Sequence, residues 1–328
     1  MTVRERFKRI LDFKEVDMLP RIEWAAWWWD TVTRWQGEGL DKTLNTEQIL
    51  THFNMDNLVC LYAAPSLPGA KYHGGPVIEC ADDYLNLREA AYSDNIIAAL
   101  VNSAKAILPR YERGDFPVRV WLDGFFWYPR RLFGIEGHFY AFYDEPELMH
   151  MINDDLADFN MRAVEALQAV IEPEMIGMAE DMSYNHGPML SHDLFSEFLT
   201  PYYRKMVEVI KRRDTKVLID SDGDITEMVP WMREAGIEGV YPLERQAKVD
   251  INVLRQNNPD LLMMGGYDKM VMSEGEEAIR AEFERIMPVV RSGGYIMSVD
   301  HQTPPGVSLE NYTIYARLYN EYARSFNK

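Results

Sequence analysis

The feature of this chain that most limits its fold is a set of six short apolar runs that each end in acidic or turn residues. They are VRVWLDG (118–124), EMIGMAED (174–181), KVLIDSDGD (216–224), EGVYPLE (238–244), LLMMGGYDK (261–269) and GGYIMSVDH (293–301). Strands of a parallel sheet that are buried on both faces have continuous apolar sequences, and helices connect them. The runs therefore predict a parallel α/β fold.

Helical patterns alternate with these runs along the second half of the chain. We predict helices over 94–113, 144–171, 192–213, 225–235, 250–257, 275–291 and 308–325. Two earlier strands, in segments 17–29 and 57–68, bring the count to eight, which predicts a (β/α)8 TIM barrel. We expect an N-terminal helix and a hairpin-like addition over 70–92. A doubly wound open sheet is the alternative, but no GxGxxG motif follows the first strand.

Composition excludes several classes of protein. The net charge is −18, from 34 basic and 52 acidic residues, and the basic residues form no dense cluster, so we expect no nucleic-acid binding. No apolar stretch reaches the roughly 20 residues that span a bilayer, and the N-terminus lacks a signal-peptide core, which predicts a soluble cytoplasmic protein. The two cysteines, Cys60 and Cys80, indicate free thiols rather than a disulfide framework.

Three of the runs end in side chains that could bind a metal ion. In a TIM barrel the C-terminal ends of the strands form the active site. The candidate ligands there are Asp220, Asp222, Glu244 and His301. Carboxylate and imidazole groups together suit zinc or another divalent metal. The alternative is that these acids cap helices or pair with nearby basic residues.

A second group of candidates follows the run at 174–181. Glu180 or Asp181 could act as a general acid or base, and His186 and Tyr184 follow closely in the sequence. His186 could equally form a hydrogen bond within its own loop. We therefore predict catalytic roles for Glu180, Asp181 and His186, and a substrate contact for Tyr184.

Aromatic residues are dense in two places. Three consecutive tryptophans (27–29) cannot all face the same way, so at least one should line a cavity or an interface, and Phe126 lies in a second aromatic segment. We predict that Trp27, Trp28 and Phe126 contact substrate. Arg130 could bind a substrate carboxylate through two hydrogen bonds, or pair with an acid at the rim.

Several segments resemble the uroporphyrinogen decarboxylase superfamily. They are RERFKRILDFKEVDMLPRI (4–22), GPMLSHDLFSEFLTPYYRKMVEVIK (187–211), LIDSDGDITEMVPWMREAGIEGVYPLE (218–244), GGYDK (265–269) and GGYIMSVDHQTPPGVSLENY (293–312). The resemblance extends over essentially the whole chain. It implies one barrel domain over residues 1–328, in agreement with the strand count, and a homodimer.

The resemblance also indicates a branch of that superfamily. Its decarboxylases carry an early arginine motif that binds the carboxylates of the porphyrinogen, whereas this chain has IEWAAWWWD (22–30) there. Its cobalamin-dependent methyltransferases bind zinc at positions that fall on Asp220-Ser221-Asp222, on Glu244 and near Asp300-His301. The sequence therefore resembles the methyltransferase branch more closely, with oxygen and nitrogen ligands in place of thiolates.

The function that this resemblance implies is methyl transfer from a small molecule, such as a methoxylated aromatic, to a corrinoid carried by a partner protein. Zinc or another divalent metal at the barrel mouth would polarise the ether oxygen. One alternative is a metal-free decarboxylase of porphyrin biosynthesis. A second alternative is a non-catalytic barrel that binds a ligand.

Overall fold

A computed structural model describes residues 1–67 and 76–326, and its centre is a parallel sheet of seven strands. The strands are β1 (Val59–Ala63), β2 (Val118–Asp123), β3 (Met175–Ala179), β6 (Lys216–Asp220), β7 (Gly239–Tyr241), β8 (Leu262–Tyr267) and β9 (Tyr295–Val299). Their order across the sheet follows the chain. Two short strands, β4 (Ser183–Tyr184) and β5 (Gly187–Pro188), form a separate antiparallel hairpin after β3. The predicted (β/α)8 TIM barrel is confirmed.

The eighth position of the barrel is filled by an irregular segment rather than a regular strand. Within the predicted strand region 17–29, only Ile22 forms a bridge, to Asp56 just before β1. The Tyr319 hydroxyl accepts the hydrogen bond of the Ile22 backbone N–H (3.1 Å), a donor that a longer ladder could have used. On the other side the backbone N–H of Trp24 donates to the Ser298 hydroxyl (3.1 Å). Side chains therefore join this segment to its neighbours.

Helices surround the sheet and supply most of the connections between strands. They are α1 (Val3–Leu11), α2 (Trp29–Gly37), α3 (Thr46–His52), α4 (Ala81–Ala91), α5 (Asp94–Glu112), α6 (Trp127–Asp144), α7 (Pro146–Gln168), α8 (His192–Phe198), α9 (Thr200–Ile210), α10 (Val229–Glu234), α11 (Ile251–Asn257), α12 (Glu276–Arg291) and α13 (Leu309–Ser325). In residues 1–67 and 76–326, no helix is long and apolar enough to cross a membrane.

Two further predicted elements differ from the structure. The helix predicted over 192–213 is divided at Leu199, because Pro201 lies in the first turn of α9, where its missing N–H costs no hydrogen bond. The hairpin predicted over 70–92 is wrong for its described part, which contains α4. The Asp83 carboxylate accepts the backbone N–H groups of Glu79 and Cys80 and so stabilises the start of that helix. Residues 70–75 of that prediction lie outside the described residues.

Candidate active site

A cavity of about 300 Å³ opens at the C-terminal ends of the strands. The residues that line it are Trp24, Ala25, Ala26, Tyr62, Arg119, Trp121, Trp127, Ala179, Asp181, Asp220, Asp222, His301 and Gln302. A larger depression of about 660 Å³ lies elsewhere on the barrel, but Lys216 and Arg233 in its wall are ion-paired with Asp12 and Asp260. The first cavity combines aromatic walls with ionisable groups, which is typical of an active site.

Strand β2 supplies two residues of the cavity wall. Arg119 and Trp121 are two positions apart, so they lie on the same face of the strand, whereas Val120 between them is buried in the core. The Tyr62 ring of β1 meets Trp121 edge-on, with 5.3 Å between ring centres. The sequence analysis missed Arg119 and Trp121 because it treated VRVWLD as one uniform apolar run, and it missed Tyr62 because the segment 57–68 was interpreted in the same way. The alternation of Arg119, Trp121 and Asp123 was the signal for a face that points inward.

A tyrosine packed behind two cavity residues reaches across one strand of the barrel. Tyr241 of β7 reaches toward Gly177 of β3, where an added Cβ would lie 2.0 Å from the tyrosine hydroxyl oxygen. Trp24 packs edge-on against Tyr241, with 5.3 Å between ring centres. The Arg119 guanidinium lies over both rings, 5.3 Å from the Trp24 centre and 5.7 Å from the Tyr241 centre. Glycine at position 177 therefore leaves the space that the Tyr241 side chain occupies.

Three aspartates form an acidic wall. Burial raises the pKa of Asp220 to about 7, although Arg119 partly opposes that rise. Burial also raises the pKa of Asp222 to about 8, and the charge of Asp181 adds to the rise. The Asp222 side chain is 41% exposed at the cavity mouth, so solvent moderates this effect. The pKa of Asp181 is raised for the same main reason, burial. The wall thus favours carboxyl groups that retain protons near neutral pH.

His301 completes this wall from the loop that follows β9. Its Nε2 atom lies 3.7 Å from Asp222 Oδ2, and its ring meets Trp24 edge-on at 5.9 Å between centres. Burial lowers the pKa of His301, while the charge of Glu244 acts in the opposite direction. The pair therefore consists of an imidazole that favours its neutral form and a carboxyl group that favours its protonated form.

Glu244 does not line the cavity. Its carboxylate accepts the backbone N–H of Gly223 (3.2 Å) and lies 4.0 Å from the Lys269 ammonium. Asp300 is fully buried beside it and accepts hydrogen bonds from the backbone N–H groups of Arg245 (3.0 Å) and Lys269 (3.2 Å). These contacts tie the loops after β7, β8 and β9 together behind His301.

The predicted metal ligands do not form a ready metal site. Asp222 and His301 approach each other, but Asp220 lies on the Arg119 side of the cavity and Glu244 is held by Gly223. Among residues 1–67 and 76–326, no three His, Cys, Asp or Glu side chains are arranged to hold a metal ion. The donor atoms in this arrangement therefore do not fit a resident zinc ion.

The structure corrects the prediction of a catalytic Glu180. Its buried carboxylate accepts the backbone N–H groups of Phe125 (2.8 Å), Phe126 (2.7 Å) and Trp127 (3.0 Å) and the Tyr203 hydroxyl. These donors leave the carboxylate facing the start of α6 and not the cavity, although burial raises its pKa to about 7. Glu180 therefore anchors the N-terminus of α6.

Several predicted substrate contacts lie away from the cavity. Trp27 is buried against Trp35 and Tyr312 in the core. Phe126 is fully buried against His138, with ring centres 4.6 Å apart. These two predictions are corrected: both aromatic rings belong to the core.

The remaining predicted residues lie at the surface or rim. Trp28 is 46% exposed and precedes α2, and Tyr184 is 49% exposed on the β4–β5 hairpin. His186 is exposed, with its ring centre 5.6 Å from that of Tyr184. Arg130 donates to the Asp181 carbonyl oxygen (2.9 Å) and forms an ion pair with the Asp181 carboxylate (3.5 Å). Of these four described residues, Arg130 is the one with a direct contact to an acid of the cavity.

Comparisons with known proteins agree with the fold. The family model for uroporphyrinogen decarboxylase (URO-D) matches residues 103–322. The chain is 27% identical over 177 residues to a uroporphyrinogen decarboxylase of Bordetella petrii, covering 50% of this chain and 46% of that protein. It is 23% identical over 194 residues to one of Shewanella piezotolerans, covering 57% and 52%. The matches thus span about half the length of these relatives.

A solved structure extends the likeness to the whole chain. It is a methyltransferase from Methanosarcina mazei, which superposes with a TM-score of 0.65 and covers 98% of this chain and 99% of its own. The two sequences are 14% identical. At that identity the likeness shows a shared fold.

Proposed function

Since the chain belongs to the uroporphyrinogen decarboxylase family, we propose that it is an enzyme that transfers a methyl group from a small aromatic methyl ether to a corrinoid on a partner protein. The observation that carries this proposal is a small aromatic cavity whose acids favour their protonated forms near neutral pH. Such a cavity suits a flat substrate whose departing oxygen needs a proton.

Asp222 is the proton donor in this proposal. Its carboxyl group lies at the cavity mouth, its pKa is raised to about 8, and His301 stands 3.7 Å away. The bond between the methyl carbon and the ether oxygen breaks, the electron pair remains on the oxygen, and Asp222 gives that oxygen its proton. A corrinoid on the partner protein would supply Co(I), whose electron pair would form the new bond to the methyl carbon. The Asp222 carboxylate then regains a proton from solvent at the mouth.

The aromatic walls position the substrate for this step. Tyr62, Trp121 and Trp127 line one cavity with Trp24, so a flat ring can pack against at least one of them. Holding the ring fixes the ether oxygen relative to the donor carboxyl group, and such orientation is a large part of catalysis. Burial of the ring also keeps water away from the developing oxygen charge.

The same cavity argues against a porphyrinogen as substrate. A porphyrinogen with many carboxylates needs a large site with several cations, whereas this cavity measures about 300 Å³ and, among the described residues that line it, Arg119 is the one arginine or lysine. We therefore favour a substrate with one ring.

The proposed chemistry assigns no step to a metal ion. The four predicted ligands are spread across the cavity and the loops behind it, and they do not fit a resident ion. A protonated carboxyl group performs at the ether oxygen the task that a Lewis acid performs elsewhere: it neutralises the charge that develops there.

The test is methyl transfer to free cob(I)alamin. Purified protein is incubated without oxygen with charged and neutral methoxyarenes, and methylcobalamin is followed by absorbance while the phenol is measured by chromatography. Equal amounts of the two products support the proposal. Asp222→Asn should slow the reaction by about a hundredfold, which is typical for loss of a general acid.

Asp224→Asn is the matched control, since Asp224 lies two residues away and its carboxylate accepts the backbone N–H of Thr226. This variant should retain the rate of the unaltered protein. Release of carbon dioxide from a carboxylated ring without methylcobalamin would instead support the decarboxylase alternative. Ligand binding with neither product would support a non-catalytic barrel.

A further inference from the structure

We propose that Arg119 binds a carboxylate of the substrate at the cavity floor, so that the substrates are small aromatic carboxylic acids. The inference rests on the proposed function only for the choice of an aromatic ether. Its evidence is the state of Arg119 itself, which lines the cavity at the inner end of the site.

Arg119 is a charged group without a polar partner. Among the described residues, no hydrogen bond or ion pair involves its side chain, and its Nε atom is buried without a hydrogen-bond partner. Its contacts are with the faces of Trp24 and Tyr241. The residue is partly buried, and a charge that is partly removed from water without a polar partner is costly to the fold, so a guanidinium kept in this state at a cavity wall points to a ligand that completes it.

Two other cations near the site differ from Arg119 in this respect. Arg130 is ion-paired with Asp181, and Lys269 donates to Asp300 at 3.1 Å. Their charges are therefore already compensated by carboxylates of the chain. Within the described part of the chain, Arg119 differs from both because no carboxylate pairs with its guanidinium.

Among the carboxylates, Asp220 has the strongest electrostatic effect on this guanidinium. The two side chains nevertheless form no ion pair within 4 Å in the described chain. Burial raises the pKa of Asp220, which weakens its attraction for Arg119. Because no described carboxylate forms an ion pair with Arg119, its guanidinium can bind one negative charge in the cavity.

The rest of the cavity limits what can carry that charge. Tyr62, Trp121 and Trp127 provide flat apolar walls above Arg119, and the volume of about 300 Å³ suits one ring with small substituents. Asp222 and His301 line another part of the same cavity. A ring with a carboxylate at one end and an ether at the other would place each group beside a matching part of the wall.

Binding of two matched probes tests this inference without any need for turnover. The probes are 4-methoxybenzoate and 4-methoxybenzamide, which have the same shape but differ in charge, and calorimetry measures the affinity of each. We expect the unaltered protein to bind the benzoate at least about tenfold more tightly, because a charge-assisted pair of hydrogen bonds is strong. Arg119→Met should abolish that preference and leave the affinity for the benzamide within about threefold.

Further variants separate charge from folding. Arg119→Lys should retain part of the preference, since lysine keeps the charge but lacks the planar pair of donors. Arg162→Met, on the exposed face of α7, should change neither affinity, and the benzamide serves as an internal measure of a folded cavity. Equal affinities in the unaltered protein, a preference that survives in Arg119→Met, or no binding of either probe would each overturn the inference.

The outcome for Arg119 can be distinguished from the outcome for methyl transfer. If the benzoate binds through Arg119 and no methylcobalamin forms, the proposed function fails while the anchor stands. If the benzamide donates its methyl group as fast as the benzoate at equal occupancy and equal affinity, methyl transfer stands and the anchor fails.

Discussion

The hydroxyl oxygen of Tyr241 occupies the space that a side chain at Gly177 would need: an added Cβ would lie 2.0 Å from it. The two residues belong to β7 and β3, which are separated by β6 in the sheet. Arg119 and Trp24, which both line the cavity, pack against this tyrosine.

Gly177→Ala should therefore displace Tyr241. We expect a loss of about 1–3 kcal/mol in the free energy of unfolding, as is usual for overpacking, together with weaker binding of 4-methoxybenzoate. Urea unfolding and calorimetry measure the two effects. Adding Tyr241→Phe removes the clashing oxygen and should restore part of both losses, as expected for residues in contact. Gly137→Ala, with 3.6 Å to its nearest neighbour atom, is the control and should not destabilise.

Glu180→Gln tests the anchoring role of the buried carboxylate. An amide offers one acceptor and one donor group to a set of donors, so at least one backbone N–H at the start of α6 loses its partner. We expect a loss of about 2–4 kcal/mol in the free energy of unfolding, measured with urea. Glu136→Gln on the exposed side of α6 should have little effect. A variant with normal stability but no activity would restore Glu180 as a catalytic candidate.

His138 should make the protein sensitive to acid. It is fully buried, neither ring nitrogen has a hydrogen-bond partner, and burial lowers its pKa to about 3. The folded protein keeps His138 neutral, whereas the unfolded chain takes up a proton below pH 6.5. Stability from this residue is therefore present above pH 6.5 and is lost as the pH falls toward 3, by about 2 kcal/mol at pH 5.

His138→Phe should remove this dependence. Phenylalanine suits a site between Phe126 and Phe142. The free energy of unfolding of the variant, relative to that of the unaltered protein, should be higher at pH 5 than at pH 8. Urea unfolding at the two pH values measures the difference. His192→Phe, at an exposed position, is the control. An unchanged difference between pH 5 and pH 8 in His138→Phe would contradict the assignment.

Metal analysis tests the arrangement of the predicted ligands. Because Asp220, Asp222, Glu244 and His301 do not converge, we expect less than about one-tenth equivalent of zinc in the purified protein and no effect of a chelator on activity. Elemental analysis before and after dialysis against chelator gives the measurement. One equivalent of metal that is absent from both Asp222→Ala and His301→Ala would establish the metal site instead.

The sequence predicted the barrel well because its strands are buried on both faces, and such strands are apolar throughout. It predicted the first strand poorly, since nothing in segment 17–29 indicates that Tyr319 accepts the N–H of Ile22. The start of α6 was also hidden, because its anchor, Glu180, lies more than fifty residues along the chain. Contacts between distant parts of the chain decide both features.

The candidate site was likewise predictable only where local sequence determines the position of a residue. The sequence predicted that Asp220, Asp222 and His301 lie in one site, because the C-terminal ends of parallel strands share one edge of the barrel. It assigned Asp181 to a separate group and included Glu244, which does not line the cavity. The choice between Trp24 and Trp27 could not be made, since it depends on how the irregular segment turns as it closes the barrel. Composition within one aromatic cluster does not say which ring faces inward.

The irregular closing segment separates two properties that a regular strand would combine. Its backbone shares one bridge with the sheet, at Ile22, while its Trp24 forms part of the cavity wall. Substitutions at Ala25 and Ala26 can reshape the entrance without breaking a ladder of hydrogen bonds. This stretch is therefore where a lineage could change its substrate range, and where a protein engineer should begin a library, while the seven regular strands preserve the barrel.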